Sequence, residues 1–600
     1  MSSRALRLSV VLVAFAYACG GTILDPPNGA ANPDGGAPIG AACSAPSDCA
    51  TGTCTSGACA PANGGGLPDA SPPPIPATTC TDSVKNGAET DVDCGGTCPK
   101  TCEVGKACKV ARDCATTICT LGTCAGPSAS DGIRNADETD IDCGGPNAPP
   151  CAGGKTCVAH RDCLAGACAN GRCLATPATQ ATTLASGTNY ACAILDNGVL
   201  KCWGENQYGQ LGLGDSRSRG LEPGDMGDAL PAVDLGTGRT AKAIAAGQNH
   251  TCVILDNGGI KCWGTVMGLG THANVGYSAG DEAGEMGNAL PYVDVGTGRT
   301  ARAITAGWGH TCAILDDATL KCWGNNAWGA VGNGTFQSPS GSMMGDNLPT
   351  VNLGVGRTVK AVAAGGYHTC AVLDIGSVKC WGRNAEGQLG LGDTTNRGNY
   401  PSDMGNELPA VQLGIGRTAK AIGVGVFSTC VLLDDGSVKC WGTAGALGTG
   451  DTFRRGDTPG GMGDALLPIN LGTGRTARAI AMGYSNVCVV LDDNSVKCFG
   501  DGYSGALGNE SNASLGDDPN EMGDYLPRAK LGTGRFARTV SVGERFGCAA
   551  LENNGVKCWG WNTHGQLGLG MSGDRGNAPG QMGDNLPFVN LGTGRTLRLP

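Results

Sequence analysis

Seven times along the chain, two short apolar runs flank a polar loop. In the first copy the runs are residues 191–195 and 199–203, and the loop is Asp196, Asn197 and Gly198. Apolar and β-branched runs around such a loop predict an antiparallel hairpin with three loop residues, the last at positive φ. That position holds glycine or asparagine, which tolerate positive φ, in every copy except the third, where it is Ala318. The pattern therefore predicts seven hairpins.

Each predicted hairpin carries one cysteine on each strand. An odd loop places the two cysteines directly opposite one another, with Cα atoms about 4.5 Å apart if the pair is non-hydrogen-bonded. This separation is at the short end of the range that a disulfide accepts. Reduced cysteines packed as small core residues are the alternative, but the seven-fold repetition in hairpin register favours disulfides. The pairs are Cys192–Cys202, Cys252–Cys262, Cys312–Cys322, Cys370–Cys380, Cys430–Cys440, Cys488–Cys498 and Cys548–Cys558.

Successive hairpins stand 58 or 60 residues apart, which indicates one supersecondary unit repeated many times. Radial repetition of small sheets removes most exposed strand edges once the ring closes. The first hairpin lacks the upstream segment that precedes the others, while residues 586–596 form a spare copy after the last hairpin. We therefore expect the C-terminal segment to join the blade that contains Cys192 and Cys202.

A glycine-rich stretch follows each hairpin, as at residues 203–215 in the first copy and 559–570 in the last. The order Ala-Gly-x-x-His-Thr-Cys, hairpin, Trp-Gly-x-Asn-x-x-Gly-Gln-Leu-Gly-Leu-Gly-Asp resembles the repeat of the regulator of chromosome condensation family. The resemblance covers about residues 184 to 600 and implies a seven-bladed β-propeller. Two departures from the family pattern are the cysteine pairs and a Met-Gly-[Asp/Asn]-x-Leu-Pro segment before each Gly-x-Gly-Arg, as within residues 226–239.

The N-terminus has the pattern of a secretory signal over residues 1–18. Arg4 and Arg7 precede an apolar run from Leu8 to Ala16, which is too short to cross a bilayer. The small residues before Cys19 resemble the processing site of bacterial lipoproteins, in which this cysteine carries the lipid. Removing Cys19 from the 33 cysteines leaves an even number, so all others can pair. We expect an exported protein that is lipid-anchored at the cell envelope; cleavage with loss of Cys19 is the alternative.

Between signal and propeller the sequence alternates linkers with cysteine-rich modules. Residues 19–40 and 61–79 have the composition of solvated linkers, whereas 41–60 and 80–175 are predicted modules; the propeller spans 183–600. Modules of about 20 residues bury too little apolar surface to fold without disulfides. Zinc is the weaker alternative, because the C-x2-C spacing of zinc knuckles is absent. Three sets share the spacing C-x5-C-x4-C-x4-C: Cys43, Cys49, Cys54 and Cys59; Cys108, Cys114, Cys119 and Cys124; Cys157, Cys163, Cys168 and Cys173.

An acidic motif occurs twice between these modules. Oxygen side chains at alternating positions before glycine resemble part of a calcium loop, although the closing glutamate of an EF-hand is missing. An Asx-rich turn closed by a disulfide is the alternative. The candidate calcium ligands are Glu89, Asp91, Asp93, Glu138, Asp140 and Asp142.

Net charge argues against nucleic acid as a partner. The chain has 42 Lys and Arg against 53 Asp and Glu, a net charge of −11, whereas binding phosphates needs positive charge. Every repeat also carries a Gly-x-Gly-Arg segment without the Gly-Lys-[Ser/Thr] ending of a phosphate loop. An arginine kept in every blade indicates a structural role, for example pairing with Asp228 or Asp464 of its blade. These arginines are Arg239, Arg299, Arg357, Arg417, Arg475, Arg535 and Arg595.

No catalytic constellation stands out in the sequence. His250, His310 and His368 precede hairpin cysteines by two residues in successive copies, as packed repeat residues would, and no nucleophile accompanies them. We therefore expect a non-enzymatic, monomeric protein without a cofactor, which binds a protein or glycan at a propeller face or channel. Recognition is expected where copies diverge, at residues 266–280, 336–342 and 501–518. An inhibitor of an extracellular enzyme is the first alternative. Guanine-nucleotide exchange, implied by the family resemblance, is the second.

Overall fold

The computed structural model describes residues 54–55, 58–59, 85, 89, 91–95, 98–116, 119–124, 155–156, 168–169, 172–173, 182–265, 278–443 and 447–598. The chain divides into two compact units, Met1–Ala125 and Gly126–Pro600. The predicted signal, Cys19 and both predicted linkers lie outside the described residues.

The first unit contains two small hairpins and three described disulfides. Strand Cys54–Thr55 pairs with Ala58–Cys59, and Cys119–Thr120 pairs with Thr123–Cys124. A 3₁₀ turn spans Ala111–Asp113. The sequence left three connectivities open for the second set of four cysteines, and the structure joins its first to its third and its second to its fourth. The disulfides are Cys94–Cys102, Cys108–Cys119 and Cys114–Cys124.

The second unit contains seven antiparallel sheets, the blades of a β-propeller, as predicted. It also contains one short hairpin, Cys168–Ala169 with Arg172–Cys173. The inner strands of the blades are Leu184–Ser186, Ala241–Ala246, Ala301–Ala306, Val359–Ala364, Ala419–Val424, Ala477–Met482 and Ala537–Val542. The middle strands are Tyr190–Ile194, His250–Leu255, His310–Leu315, His368–Leu373, Ser428–Leu433, Asn486–Leu491 and Phe546–Leu551. The outer strands are Leu200–Gly204, Ile260–Thr265, Leu320–Gly324, Val378–Gly382, Val438–Gly442, Val496–Gly500 and Val556–Gly560.

Short elements complete the rim of the propeller. The second blade gains a two-residue fourth strand, Ser278–Ala279, and five other blades have a single bridge at this edge, such as Gly204 with Arg219. The connections between blades form one-turn 3₁₀ helices at Gly227–Ala229, Gly341–Met343, Gly345–Asn347, Pro401–Asp403, Gly463–Ala465, Tyr503–Gly505, Gly523–Tyr525 and Gly583–Asn585. Among the described residues, no helix is both long and apolar enough to cross a membrane.

Each middle and outer strand meet in the hairpin that the sequence predicted. In the first blade Ile194 pairs with Leu200, and Leu195 N donates a hydrogen bond to Val199 O at 2.8 Å, which leaves Asp196, Asn197 and Gly198 as the loop. Gly198 has φ 79°, and even Ala318 takes the same conformation with φ 67°. The cysteines of each pair lie opposite one another and are bonded, with Cα atoms 4.0 to 4.1 Å apart. Every blade therefore has one covalent link between its middle and outer strands.

The core of the propeller lies between neighbouring blades. The tryptophan after each outer cysteine is fully buried, with Phe499 in its place in the sixth blade. Trp263 Nε1 donates a hydrogen bond to Gln210 O of the preceding repeat at 3.0 Å. Burying an aromatic ring against the neighbouring blade gives hydrophobic stabilisation, and the indole hydrogen bond satisfies its polar end.

The inserted Met-Gly-[Asp/Asn] segment connects adjacent blades through a buried lysine. Lys261 Nζ donates hydrogen bonds to Leu235 O at 3.1 Å and to Gly287 O of the inserted segment at 2.6 Å. The residue after that glycine, Asn288, accepts a hydrogen bond from Thr237 N of the preceding Gly-x-Gly-Arg turn at 3.0 Å. Since every outer strand carries the equivalent lysine, this departure from the family pattern joins each blade to the next.

Candidate binding face at the channel mouth

The inner strands of all seven blades line a central channel with a volume of about 310 Å³. The channel opens on two faces. The hairpin face carries the loops between middle and outer strands. The mouth face carries the turns that lead from each inner strand into its middle strand, together with the residue that follows each outer strand. Within a blade, the residue after the outer strand contacts the turn between the inner and middle strands. Arg383 N, for example, donates a hydrogen bond to Tyr367 O at 3.0 Å.

A ring of glycines constricts the channel at the mouth face. A side-chain Cβ added at Gly483 would lie 1.9 Å from Gly543 O, and one at Gly307 would lie 2.3 Å from Gly365 O. Because each glycine contacts the carbonyl oxygen of the next, larger residues cannot occupy this ring without moving the blades. The ring consists of Gly187, Gly247, Gly307, Gly365, Gly425, Gly483 and Gly543.

Four aromatic side chains lie together directly after this ring, and we name them the aromatic cluster: Trp308, Tyr367, Phe427 and Tyr484. The ring centroids of Trp308 lie 5.0 Å from Tyr367 and 5.7 Å from Tyr484. Phe427 lies 6.1 Å from Tyr367 and 6.5 Å from Tyr484. All four side chains are half-buried, so they support one another and still present ring surface to solvent. Such contacts hold the aromatic side chains in place, so that little side-chain entropy is lost when a ligand binds to them.

The opposite side of the mouth face is charged. Glu544 occupies the turn position equivalent to Trp308, and burial raises the pKa of its carboxyl, with contributions from Glu205 and Asp501. Arg545 Nε lies 3.8 Å from Asp501 Oδ2, and the guanidinium lies 5.0 Å from the ring centroid of Tyr503. The mouth face therefore combines an aromatic half with a predominantly acidic half.

A groove of about 350 Å³ extends outward from the aromatic cluster. Trp308 and Tyr367 form its inner end, and Tyr208 and Trp328 belong to its lining. The side chain of Trp328 is 43% exposed, which is unusual for tryptophan. An extended ligand could therefore contact aromatic surface from the channel mouth to Trp328.

The hairpin face repeats the same contacts in every blade. Arg239 Nη1 lies 3.2 Å from Asp256 Oδ2, and the other six Gly-x-Gly-Arg arginines pair with the equivalent carboxylate at the end of their middle strands. The predicted partners, Asp228 and Asp464, were wrong. Asp228 instead accepts hydrogen bonds from Thr593 N and Oγ1, because it faces the turn of the neighbouring blade. These uniform pairs are part of the frame.

The three repeat histidines are buried between middle strands. His250 Nε2 lies 2.9 Å from Thr311 Oγ1, and His310 and His368 make the same contact with the threonine of the next blade. Burial lowers the pKa of His250 to about 4 and those of His310 and His368 to about 3. Neutral, buried imidazoles of this kind join neighbouring blades.

One carboxylate of the acidic motif in the first unit, that of Asp91, binds local backbone N–H groups. Asp91 Oδ2 accepts a hydrogen bond from Ala107 N at 2.6 Å, and Asp91 Oδ1 accepts one from Val92 N at 2.7 Å. These bonds lower the pKa of Asp91. Glu89 is buried, and Asp93 has φ 54°. Glu138, Asp140 and Asp142 lie outside the described residues, and calcium binding stays a prediction.

Within the described part of the chain, one set of three potential metal ligands lies close enough together to hold an ion: Cys108, Cys114 and Cys124. All three are in disulfides, so they cannot act as thiolate ligands for zinc.

The predicted recognition loops coincide with this face only in part. Asp501 and Tyr503, from the stretch 501–518, contact Arg545 of the mouth face. Phe336, from 336–342, packs edge-on against Tyr400 with centroids 5.3 Å apart. Residues 266–277 lie outside the described residues. The aromatic cluster was not predicted, although a signal was present: the two positions after each constant channel glycine differ from blade to blade.

Comparison with protein-family models decides the relationship. The model of the regulator of chromosome condensation (RCC1) repeat matches residues 197–254, 320–372 and 376–432, and a second model of the same repeat matches 181–210, 301–329, 359–388, 477–506 and 537–566. The propeller belongs to the RCC1 repeat family. A propeller of this family supports a general role in protein interaction.

Proteins that are similar to this propeller include curated relatives and one solved structure. The ultraviolet-B receptor UVR8 of Arabidopsis thaliana is 26% identical over 398 residues, which cover 65% of this chain and 79% of UVR8. The human E3 ubiquitin-protein ligase HERC2 is 26% identical over 379 residues, 62% of this chain but only 7% of HERC2. The crystal structure of human WBSCR16 matches with a TM-score of 0.47 and 19% identity, covering 63% of this chain and 94% of that one.

Proposed function

We propose that the protein is an exported, non-enzymatic binding protein whose RCC1-like propeller engages a protein ligand at the mouth face. The aromatic cluster carries this proposal. Half-buried tryptophan and tyrosine side chains, held in place by their neighbours, are the residues that contribute most to protein interfaces. The acidic half across the channel mouth favours a ligand that carries basic groups as well as apolar ones.

The contrast between the two faces supports this assignment. The hairpin face repeats one Arg–carboxylate pair in all seven blades, whereas the mouth face has Gln248, Trp308, Val426, Tyr484 or Glu544 at equivalent positions. Repeated residues maintain the frame of a propeller, and residues that differ between blades create an asymmetric surface. A single ligand can therefore bind in one orientation.

Export and anchoring are the second part of the proposal. Disulfides persist in oxidising compartments, and the described residues of this chain contain ten of them. A lipid on Cys19 would tether the chain to the cell envelope, and the cysteine-rich modules would separate the propeller from that anchor. Mass spectrometry of the mature N-terminus tests this part: a diacylglycerol-modified Cys19 supports it, and a mature chain without Cys19 contradicts it.

The ligand-binding proposal is tested by substitution in the aromatic cluster. Protein partners are recovered with the oxidised, full-length chain from an extract of the cell surface, and their dissociation constants are then measured with purified components. Trp308→Ala and Tyr484→Ala are expected to weaken binding by at least about tenfold each, as interface anchors do. Tyr525→Ala is the matched control, because Tyr525 is 75% exposed and follows Asp524, which bonds to the Thr473 turn of the hairpin face.

The alternatives give different outcomes in the same experiments. A glycan ligand would bind to the wild-type chain in a glycan screen and lose affinity in the Trp308→Ala variant, with no protein partner recovered. An inhibitor would bind and inactivate a purified extracellular hydrolase. A guanine-nucleotide exchange factor would accelerate nucleotide release from a small GTPase and would be found in the cytoplasm. Unchanged binding in both aromatic variants would exclude the mouth face as the recognition site.

A further inference from the structure

A ring of basic residues surrounds the channel at the hairpin face. Six of the seven inner strands have a lysine or arginine immediately after their first position, and in the first blade the C-terminal segment supplies one. In six blades this residue lies where the strand's pairing shifts register, as between Ala241 and Ala243, and in the first blade Arg598 takes the place. We name these residues the cationic ring: Lys242, Arg302, Lys360, Lys420, Arg478, Arg538 and Arg598.

The cationic ring differs from the arginines of the Gly-x-Gly-Arg turns in forming no close ion pair in the described part of the chain, although Asp316 and Asp317 act electrostatically on Arg302. Within the described residues, none of its seven side chains lies within 4.0 Å of a carboxylate, whereas all seven turn arginines do. Four ring members, Arg302, Lys420, Arg538 and Arg598, donate to backbone carbonyls. Arg302 donates to Val359 O at 2.6 Å and Arg538 to Glu552 O at 3.0 Å. A carbonyl orients a cation without neutralising its charge.

The loops of the hairpin face therefore have excess positive charge, although the whole chain has a net charge of −11. The turn arginines and the cationic ring together contribute fourteen positive charges. The middle-to-outer hairpins contribute ten acidic residues: Asp196, Asp256, Asp316, Asp317, Asp374, Asp434, Asp435, Asp492, Asp493 and Glu552. The inserted segments and the residues up to each Gly-x-Gly-Arg turn, together with the seven buried lysines, add nine positive charges, which include Arg528 and Lys530, against eight carboxylates, so the excess remains: Asp228, Asp234, Asp294, Asp346, Glu407, Asp464, Asp524 and Asp584.

Exposed aliphatic side chains lie on the same face. Val355 is 86% exposed, Ile415 89% and Ile375 59%. Val355 and Ile415 occupy the variable position of the Gly-x-Gly-Arg turn, where the other five repeats have threonine. The ion pair of Arg357 with Asp374 at 3.2 Å holds the turn of Val355 against the hairpin of Ile375. These aliphatic side chains add exposed apolar surface to a face that also carries excess positive charge.

We propose that the hairpin face docks on a lipid bilayer that contains anionic headgroups. The exposed members of the cationic ring, such as Lys242, Lys420 and Arg538, contact the phosphates, and Val355, Ile375 and Ile415 enter the interfacial region of the bilayer. Basic residues near an anionic surface and apolar side chains that insert into it act together in peripheral membrane binding. This contact is independent of the proposed ligand. Docking by the hairpin face would direct the mouth face away from the membrane.

The experiment measures sedimentation of the full-length chain with vesicles. The chain carries Cys19→Ser so that a lipid anchor cannot contribute. We expect binding to vesicles of phosphatidylcholine with phosphatidylglycerol, little binding to phosphatidylcholine alone, and weakening as salt rises. The combined variant Lys242→Gln, Lys360→Gln and Lys420→Gln should lower the binding constant about ten- to a hundredfold. These side chains are surface residues, so thermal unfolding should be unchanged.

A second variant tests the aliphatic contribution without changing charge. Val355→Thr with Ile415→Thr introduces the residue that the other repeats already have, and it should weaken vesicle binding by about tenfold while leaving the salt dependence intact. The matched charge control is Arg217→Gln, Arg454→Gln and Arg575→Gln, which removes three positive charges from segments after the outer strands. This control should bind like the parent chain.

Three results would overturn the proposal. The parent chain could fail to sediment with anionic vesicles at low salt. The lysine variant could bind as well as the charge control. The chain could bind heparin, a soluble polyanion, through the cationic ring and yet ignore anionic vesicles, which would assign the ring to a soluble ligand.

Discussion

Leu597 forms an antiparallel bridge with Leu195, so the end of the chain pairs with its first hairpin. Asp196 N donates a hydrogen bond to Thr596 O at 2.9 Å, and Arg598 N donates one to Ile194 O at 2.9 Å. Further along the same middle strand, Leu184 pairs with Ala193. The inner strand of the first blade is thus assembled from both ends of the propeller, and the ring closes as the sequence predicted.

Deleting residues 592–600 should therefore open the ring. The deletion removes the Leu597 bridge, the pair of Arg595 with Asp196 and the contact of Thr593 with Asp228. We expect a loss of more than about 3 kcal/mol in the free energy of unfolding, as for other broken structural networks. Thr593→Val, which removes only the hydroxyl bond, should cost about 1 kcal/mol. Chemical unfolding followed by fluorescence measures both, and a deletion that retains the parent stability would contradict closure.

The glycine constriction predicts a sharp steric effect. Gly483→Ala places a methyl group 1.9 Å from Gly543 O, so adjacent blades must separate. Overpacking of this kind should destabilise the propeller by about 3 kcal/mol or prevent folding. Gly461→Ala is the control, because its added Cβ has no contact shorter than 3.2 Å. Equal thermal midpoints for the two variants would show that the blades at the mouth face are not packed as described.

The buried lysines predict a difference between two lysines of one blade. Lys261→Met removes the two hydrogen bonds to Leu235 O and Gly287 O and leaves both carbonyls buried and unsatisfied. The expected cost is about 2 to 3 kcal/mol. Lys242→Met, at an exposed position on the inner strand of the same blade, should change the free energy of unfolding by less than about 0.5 kcal/mol. Urea unfolding of the two variants distinguishes them. Equal losses in the free energy of unfolding would show that the buried lysine does not stabilise the propeller.

The histidines predict how stability depends on pH. Burial lowers the pKa of His250 to about 4 and that of His310 to about 3, from an ordinary 6.5. The unfolded chain therefore binds more protons below pH 6.5, so stability is complete above that pH and falls as pH drops towards the folded values. His310→Asn, which copies Asn486 of the sixth blade, should reduce this dependence. Denaturant midpoints between pH 7 and pH 4 provide the measurement; identical slopes in both chains would refute it.

The sequence was sufficient for the frame because its signals are local and repeated. The loop of Gly198, the exception at Ala318 and the opposition of Cys192 and Cys202 all follow from turn and strand rules applied within fifteen residues. The spare segment at 586–596 indicated closure because one copy of a periodic element was left over.

The site was harder to predict because it is made of residues from different blades. Trp308, Tyr367, Phe427 and Tyr484 are about 60 residues apart in sequence, and each alone is an ordinary turn residue. The partner of each turn arginine was missed for a related reason. Asp256 and Asp228 are similarly placed near Arg239 in sequence, and only strand pairing shows which carboxylate faces it. Register between segments, which composition does not specify, decided both cases.

The most direct test of the account is the oxidation state of the seven cysteine pairs in the native, exported chain. Free thiols are blocked before digestion, and the peptides are mapped by mass spectrometry without reduction. We expect seven cross-linked peptides, each joining two cysteines ten residues apart, with no blocked thiol in the propeller. Blocked thiols at these positions in the native protein, or cross-links between different blades, would contradict it.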